Sequence, residues 1–497
     1  MDTPDLMSLW AQNHAIFGVL LAILLFLFLL LDNCRSKPAP DVGPYRDRDF
    51  VHHQDLVDPA IRKRHLDFNA HLHSHFSGQR FVQVKAEQGC WIAFSNAACK
   101  EVMNDHVSFS SNPFADDRLV ALNTMAKADH TRVLRYVHKH YSQEQIEKIK
   151  DQIQQVIQKH TDDLVAEKVD VVWWAKRIHM SSTLARLGVD LANFSSAALD
   201  EVIALNDAMV ALVAPLGGVG RKYDTLSWDW WFWLLIGLLC SLLPVLHMAL
   251  RLGVRCTWEI IRPDVTVLNP PRRPRMGLWW QPSLLPLVPR YFKLLHRLLY
   301  EDASEGLLKG LRQGVESGDL SLAECLTLMV QLMVNMTSAN ALCSLVYRLA
   351  TEKDAFKQVV ADPSGVADRF IQEVLRLDAP LQRNPRRCVR VGPKFSGANC
   401  PAEGDQVLLF LGAANMDPAI YKDPGDFRLD REEPPPLTFG SGMHYCLGSS
   451  LVKLELLLTL KHLCGRCQSI EVEDFERLSD VDVGNWGFEY FRVRISA

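Results

Sequence analysis

Ten residues near the C-terminus, Phe439-Gly-Ser-Gly-Met-His-Tyr-Cys-Leu-Gly448, constrain this chain more than any other segment. Two glycines before the cysteine let the backbone turn tightly and come close to a flat ligand. Gly448 is expected to allow close packing where the next helix starts, at about Ser449. Cys446 then stands just ahead of that helix, where the amide end of the helix favours a thiolate. A lone buried cysteine is ordinarily an inert small hydrophobe. A cysteine held inside this frame has a more specific use. The rest of the chain excludes some functions. Its formal net charge of −4 argues against a dedicated nucleic-acid binder. Twelve cysteines in 497 residues are too dilute for a disulfide scaffold.

Apolar residues are concentrated in two places. Ala15 to Leu31 is unbroken apolar sequence, roughly 25 Å as a helix and enough to span a bilayer core. No Lys or Arg precedes it and no small-residue cleavage site follows, so a transmembrane anchor is favoured over a signal peptide. Arg35, Lys37, Arg46 and Arg48 on its C-terminal side put the main body in the cytosol. Residues 37–44 are a Pro-rich spacer. The second concentration is a Trp-rich insertion at about 220–290, where Trp230 to Leu246 carries no charge. Trp favours the headgroup layer of a bilayer, so this stretch is expected to dip into the membrane. A buried helix pair and a second span are the alternatives. The sequons at Asn193 and Asn335 are silent in a cytosolic domain.

The remaining pattern is mainly helical with small sheets. Two short strands and a helix are expected within 80–110, and amphipathic helix over 142–190. Ser321-x-x-Glu324 is a capping box opening a buried central helix to about Ala350. A helix from Val366 to Leu377, strand-like pieces at 388–392 and 406–411, and a last helix follow. His71, His73 and His75 alternate like ligands on one strand face, but no carboxylate or cysteine cluster accompanies them. His138 and His140 are similar, and Cys464-Gly-Arg-Cys467 has redox spacing without a redox context. No Gly-rich dinucleotide or phosphate loop is present, so electrons for any redox chemistry must come from a separate protein.

The Phe439–Gly448 segment matches F-x-x-G-x-x-x-C-x-G at every fixed position, and here the chain resembles the cytochrome P-450 superfamily. The resemblance implies a single P-450 fold over residues 45–497, preceded by a membrane anchor at 1–36. It implies heme b as cofactor with Cys446 as axial thiolate, held in a loop with Phe439 and Gly442. A thiolate ligand pushes electron density onto iron and favours O–O cleavage. His444 falls where the family contacts a heme propionate. Arg386, in Pro380-Leu-Gln-Arg-Asn-Pro-Arg386, and His130 resemble further heme contacts. Leu134 stands where an Arg is usual, although Arg132 and Arg135 are nearby. Glu373-Val-Leu-Arg376 resembles the family's buried E-x-x-R pair, with Arg431 as its third member.

The central helix departs from the family. Its oxygen-activating stretch reads Met333-Val-Asn-Met-Thr-Ser338. Thr337 matches the catalytic alcohol, but Met336 replaces the acid, and a thioether cannot relay protons. Met333 and Met336 suggest an apolar pocket. The resemblance therefore implies a membrane-bound monooxygenase of an apolar small molecule, in secondary or lipid and terpenoid metabolism. A separate NADPH-dependent flavoprotein reductase and membrane lipid are its partners, and the endoplasmic reticulum its expected location. The alternatives are a heme-thiolate isomerase, cyclase or lyase needing no reductant, and a non-enzymatic heme-binding membrane scaffold.

Overall fold

The computed structural model describes residues 45–497 except 48–49, 53–54, 57, 86–88, 113–121, 123–124, 126, 168–169, 192–194, 214–286, 303–305, 335, 398, 479–483 and 497. The anchor at 1–36, the spacer at 37–44, the asparagines of both sequons and almost all of the Trp-rich insertion lie outside the described residues. The chain divides into two compact units, Met1–Arg48 and Asp49–Ala497. In the first unit the described residues form one 3-10 turn, Tyr45–Asp47.

The main unit combines helices with two sheets. Six strands, β1 (Val51–His52), β2 (Val82–Lys85), β3 (Cys90–Ala93), β4 (Phe109–Ser110), β5 (Arg383–Cys388) and β6 (Gln406–Phe410), pair in the order β1-β2-β3-β6-β5-β4. β1 with β2 and β3 with β6 are parallel; the other pairings are antiparallel. A second sheet is the antiparallel pair β7 (Ser469–Arg477) and β8 (Phe488–Ser496). β2 alternates buried and exposed because one face packs inward, whereas β3 is buried along its whole length.

The helices that frame the site are α1 (His65–His75), α2 (Asn96–Asn104), α3 (Lys127–Val137), α4 (Lys150–Glu167), α5 (Val171–Leu187), α6 (Leu322–Met333), α7 (Met336–Thr351), α8 (Ala367–Leu377) and α9 (Ser449–Arg466). α7, α8, α9, α4 and α5 share one apolar core with β7 and β8. α3 and α6 pack with the other end of α5 in a second. The sheet strands β3, β5 and β6 build a third against α2.

Several sequence expectations change here. The stretch 142–190 is helical, but α5 is buried on nearly every side rather than amphipathic, because it crosses both helical cores. The strand expected at 388–392 lies at β5 instead, where Arg383–Arg387 pairs residue for residue with β6. His71, His73 and His75 sit on helix α1, not on a strand. A two-residue spacing cannot place three side chains on one helix face. His71 and His75, four apart, stack at 5.1 Å, while His73 Nε2 meets the Ala413 carbonyl at 2.7 Å. Among the described residues no His/Cys/Asp/Glu cluster has the makings of a metal site.

The central helix begins at the capping box: Ser321 Oγ accepts from the Glu324 amide and Glu324 Oε2 from the Ser321 amide. It is not continuous to Ala350. α6 ends at Met333, Val334 turns extended at ψ 113°, and α7 begins at Met336. β-branched Val is a weak helix former, which lowers the cost of the extended conformation at Val334. Together α6 and α7 are long and apolar enough to cross a membrane, yet 65% of the most apolar window is buried inside the protein.

Two histidines buried in this fold make its stability pH-dependent. Burial lowers His65, stacked on Trp486 at 3.7 Å, to about 4, and His160 likewise to about 4. Both folded values lie below the unfolded value of about 6.5. The unfolded chain therefore binds more protons than the native one as pH falls from 6.5 towards 4, and stability declines across that window. The melting temperature is expected to drop between pH 7 and pH 5, with a smaller drop in His65→Gln. Equal drops in the two proteins would contradict the assignment.

Candidate heme-thiolate site

The loop before α9 is shaped by its glycines. Gly440 has φ +75° and Gly442 φ +74°, a region that side-chain-bearing residues avoid. A Cβ on Gly442 would also come within 2.6 Å of Asn104 Oδ1 and 2.9 Å of the Met103 carbonyl, at the end of α2. Gly448 differs from expectation: a Cβ there would meet no atom within 4 Å, and φ is −78°. The close packing read from the sequence at that position is therefore not required by the protein.

The Cys446 amide donates to the Phe439 carbonyl at 2.9 Å, closing the loop and fixing the cysteine ahead of α9. Phe439 packs against the main core, and Lys453 Nζ lies 5.3 Å from its ring centroid. Cys446 has an exposed surface, yet the protein around its sulfur desolvates the thiolate and pushes the thiol pKa up. These two properties together describe a concave position, open on one side and enclosed on the others. The amides of Gly448 and Ser449 oppose the rise by hydrogen bonding to the sulfur. This is the helix-terminus effect expected from the sequence. Burial also raises Tyr141, beneath the Arg186 guanidinium at 3.3 Å, and the charge of Cys446 adds to that rise.

Ser111, His130 and Arg386 surround His444. Its Nε2 is 2.9 Å from Ser111 Oγ, its ring meets His130 edge-on at 4.8 Å, and its Nδ1 is buried without a hydrogen-bond partner. Burial, joined by the charges of His130, Arg386 and His106, lowers His444 to about 4. Arg386 is 5% exposed and donates to Asn384 Oδ1 and the Pro385 carbonyl. Burial brings it down to about 10, and among the described residues no carboxylate forms an ion pair with it. A buried cation without a counter-ion is costly, so the cluster is chemically suited to an anionic group. Heme b offers two propionates and an iron that takes a thiolate, and these residues fit both. Arg132 and Arg135 do not join the cluster. Arg132 pairs with Glu324 and Asp129, and Arg135 with Asp319, near the start of α6.

Glu373 and Arg376 lie on α8 and are 3% and 1% exposed. Arg376 satisfies all five of its N–H groups: two on Glu373, and three on the carbonyls of Asn415, Pro424 and Asp426. Arg431 Nε reaches Glu373 Oε2 at 3.0 Å, and the Arg428 amide reaches the same oxygen at 2.9 Å. Sequence reasoning missed the two residues that carry this triad to the cysteine loop. Thr438 Oγ1 donates to the Leu375 carbonyl, and Asn415 bonds both Thr438 and the Leu437 amide. Asn415 lies in Gly412–Pro418, a segment that already resembled the family; Thr438 and Ser111 carry no such signal.

Thr337 lies half-buried in the first turn of α7, beside Met336. Met333 is fully buried in the second core rather than lining a pocket, because the break at Val334 separates its helix from that of Met336.

Residues 365–477 match the family model described as Cytochrome P450. Curated relatives include Cytochrome P450 144 of Mycobacterium tuberculosis, 37% identical over 188 residues, which are 37% of this chain and 41% of that protein. The Biotin biosynthesis cytochrome P450 of Bacillus subtilis is 30% identical over 188 residues, 37% of this chain and 47% of that one. The chain thus spans less than half the length of these relatives. Among solved structures, CYP109E1 of Bacillus megaterium in complex with testosterone has a TM-score of 0.65 at 17% identity, covering 88% of this chain and 100% of that chain. Ligand-free CYP164A2 of Mycobacterium smegmatis gives 0.65 at 19% identity, over 88% and 98%. These two share the fold. The family binds heme through a cysteine thiolate, the ligand type that stands at Cys446. The C-terminal part of the chain is thus similar in sequence to the cytochrome P450 superfamily, and the chain shares the fold of solved cytochromes P450.

Proposed function

We propose that this protein is a heme-thiolate monooxygenase acting on an apolar small molecule. The observation that carries the reading is Cys446 at the amide end of α9, with the uncompensated Arg386–His444–His130 cluster in the same fold. Cys446 would hold the iron, and Arg386, His444 and His130 the propionates. When bound, the heme supplies the oxidising chemistry, and the protein orients it and sets its electronics. The glycine loop holds the sulfur in place, and the amides of Gly448 and Ser449 lower its basicity. Thr337 would pass a proton from its hydroxyl. Reduction of the purified protein under carbon monoxide tests the reading. A red-shifted, thiolate-type Soret band is expected, and its absence would defeat the assignment.

A second reading keeps the heme and drops the external electrons. Met336 in place of the acid favours an isomerase, cyclase or lyase. Turnover of a peroxide substrate without reductase, together with no substrate-dependent NADPH and oxygen consumption when a flavoprotein reductase is added, would select it. Two relatives carry names that bear on substrate class. One is a Beta-dihydromenaquinone-9 omega-hydroxylase of Mycobacterium tuberculosis, 34% identical over 189 residues. The other is the biotin-biosynthesis protein above. An apolar isoprenoid substrate is in keeping with the first of these names.

The Ala15–Leu31 segment supports a single-pass anchor in the endoplasmic reticulum, with the main unit in the cytosol, served by a separate NADPH-dependent reductase. The Trp-rich stretch supports a second membrane contact. Deleting 1–36 is expected to leave part of the protein in the membrane fraction. Clean release into the soluble fraction would count against the second contact.

A further inference from the structure

The missing acid at Met336 leaves the Thr337 hydroxyl without the residue that would refill its proton, and a buried polar cluster lies against this turn. Asn340 and Ser344 follow Thr337 on α7 at spacings of three and seven. At about 100° per residue the three fall on one helix stripe. Asn340 is 3% exposed and Ser344 0%. Asn340 Nδ2 and Ser344 Oγ are buried and make no hydrogen bond among the described residues. The segment 484–487, between β7 and β8, crosses this stripe. A Cβ on Gly487 would fall 2.2 Å from Asn340 Cγ, so the backbone there touches the Asn340 amide. Two residues earlier, Asn485 Nδ2 lies 3.9 Å from Met336 Sδ, while Asn485 Oδ1 is buried and unpartnered.

An orphaned donor on Asn340 and an orphaned acceptor on Asn485 thus lie against the turn that lacks its carboxylate, with the orphaned Ser344 hydroxyl further along the same stripe. Buried water characteristically sits where two to four such groups would otherwise be unsatisfied. We propose that Asn340, Ser344 and Asn485 hold ordered water against the Met336–Thr337 turn, and that this water is the proton source for Thr337 in place of a carboxylate. The proposal rests on the monooxygenase reading. With heme bound, Thr337 would pass its hydroxyl proton towards the oxygen site and take one from the adjacent water, which would take one from the next. The chain ends on solvent, and no side chain changes charge. In this arrangement Asn340, Ser344 and Asn485 would be positioning residues, and Thr337 would be the group that meets the reacting oxygen. The Met336 thioether can neither donate nor hold a proton. It closes the apolar side of the turn, and the amides supply the polar side.

The test uses the heme-loaded full chain with hydrogen peroxide as oxidant and guaiacol as probe, so neither a reductase nor the native substrate is needed. Asn340→Leu and Asn485→Leu are expected to slow guaiacol oxidation roughly tenfold or more, the scale of lost proton transfer. Their carbon monoxide bands should stay unchanged. Met336→Asp added to Asn485→Leu is expected to restore the rate, which a purely structural role for Asn485 would not predict. A crystal structure of the wild-type protein gives a readout independent of turnover. It should show water within hydrogen-bond distance of Asn340 Nδ2 and of Asn485 Oδ1 or Ser344 Oγ. Rates within twofold of wild type in both Leu variants, failure of Met336→Asp to restore, or a dry cluster with its amides paired directly would each overturn the proposal. Should the Leu variants not take up heme, the water positions decide alone. A wild-type protein without the thiolate band would sink the heme reading itself, and the crystallographic water would still report on the cluster.

Discussion

Replacing Cys446 by Ser is expected to abolish the thiolate-type carbon monoxide band and bring turnover to background. A serine hydroxyl is far too weak an acid to ionise here, even with the amides of Gly448 and Ser449 directed at its position. The loop itself should survive, because the bond from the residue-446 amide to the Phe439 carbonyl is made by backbone atoms. Other cysteines make the experiment specific. Burial drives the thiols of Cys325 and Cys464 to about 12 and that of Cys467 to about 11. Such thiols stay protonated at neutral pH and are poor ligands. Cys464→Ser is therefore expected to keep the band. A band that persists in Cys446→Ser would place the ligand elsewhere.

The second large effect is on stability. Glu373→Ala is expected to cost about 3–5 kcal/mol, the scale for removing one partner of a buried pair. That is a large share of the roughly 5–15 kcal/mol that holds a typical domain folded. The loss is high because Glu373 serves two guanidinium groups and the Arg428 amide at once. Without it, Arg376 at 1% exposure keeps three carbonyl acceptors but no counter-charge nearby. Because Thr438 and Asn415 tie α8 to the cysteine loop, the same change is expected to reduce heme retention. Guanidinium denaturation and the heme-to-protein ratio measure both. An unfolding free energy within 1 kcal/mol of wild type would show that the triad is only a surface-grade interaction.

How much of this was legible beforehand varies by residue. The glycines at 440 and 442, the cysteine and the start of α9 were readable, because positive φ and helix starts have local signatures. So were the capping box and the i,i+3 spacing of Glu373 and Arg376. Arg431 was placed by resemblance, and the structure puts it 3.0 Å from Glu373. The break at Val334 was not visible, since helical periodicity continues through it. Nor was the diversion of Arg132 and Arg135 to acids near the start of α6, some 190 residues away in the chain.

The sequence by itself determined the ligand atom, the turn that presents it and the loss of the acid at Met336. Each depends on a residue's own chemistry or on neighbours within one turn. Only the tertiary structure decided which groups are enclosed with Arg386 away from any counter-ion, and which buried amides lie against Met336. His130, Arg386 and His444 come from a helix, a strand and a loop far apart in the chain. Asn340 and Asn485 are brought together by the packing of the β7–β8 segment across α7. Charge and hydrogen-bond balance in a buried site belong to the whole set of groups enclosed there. That set exists only once the chain has closed around it.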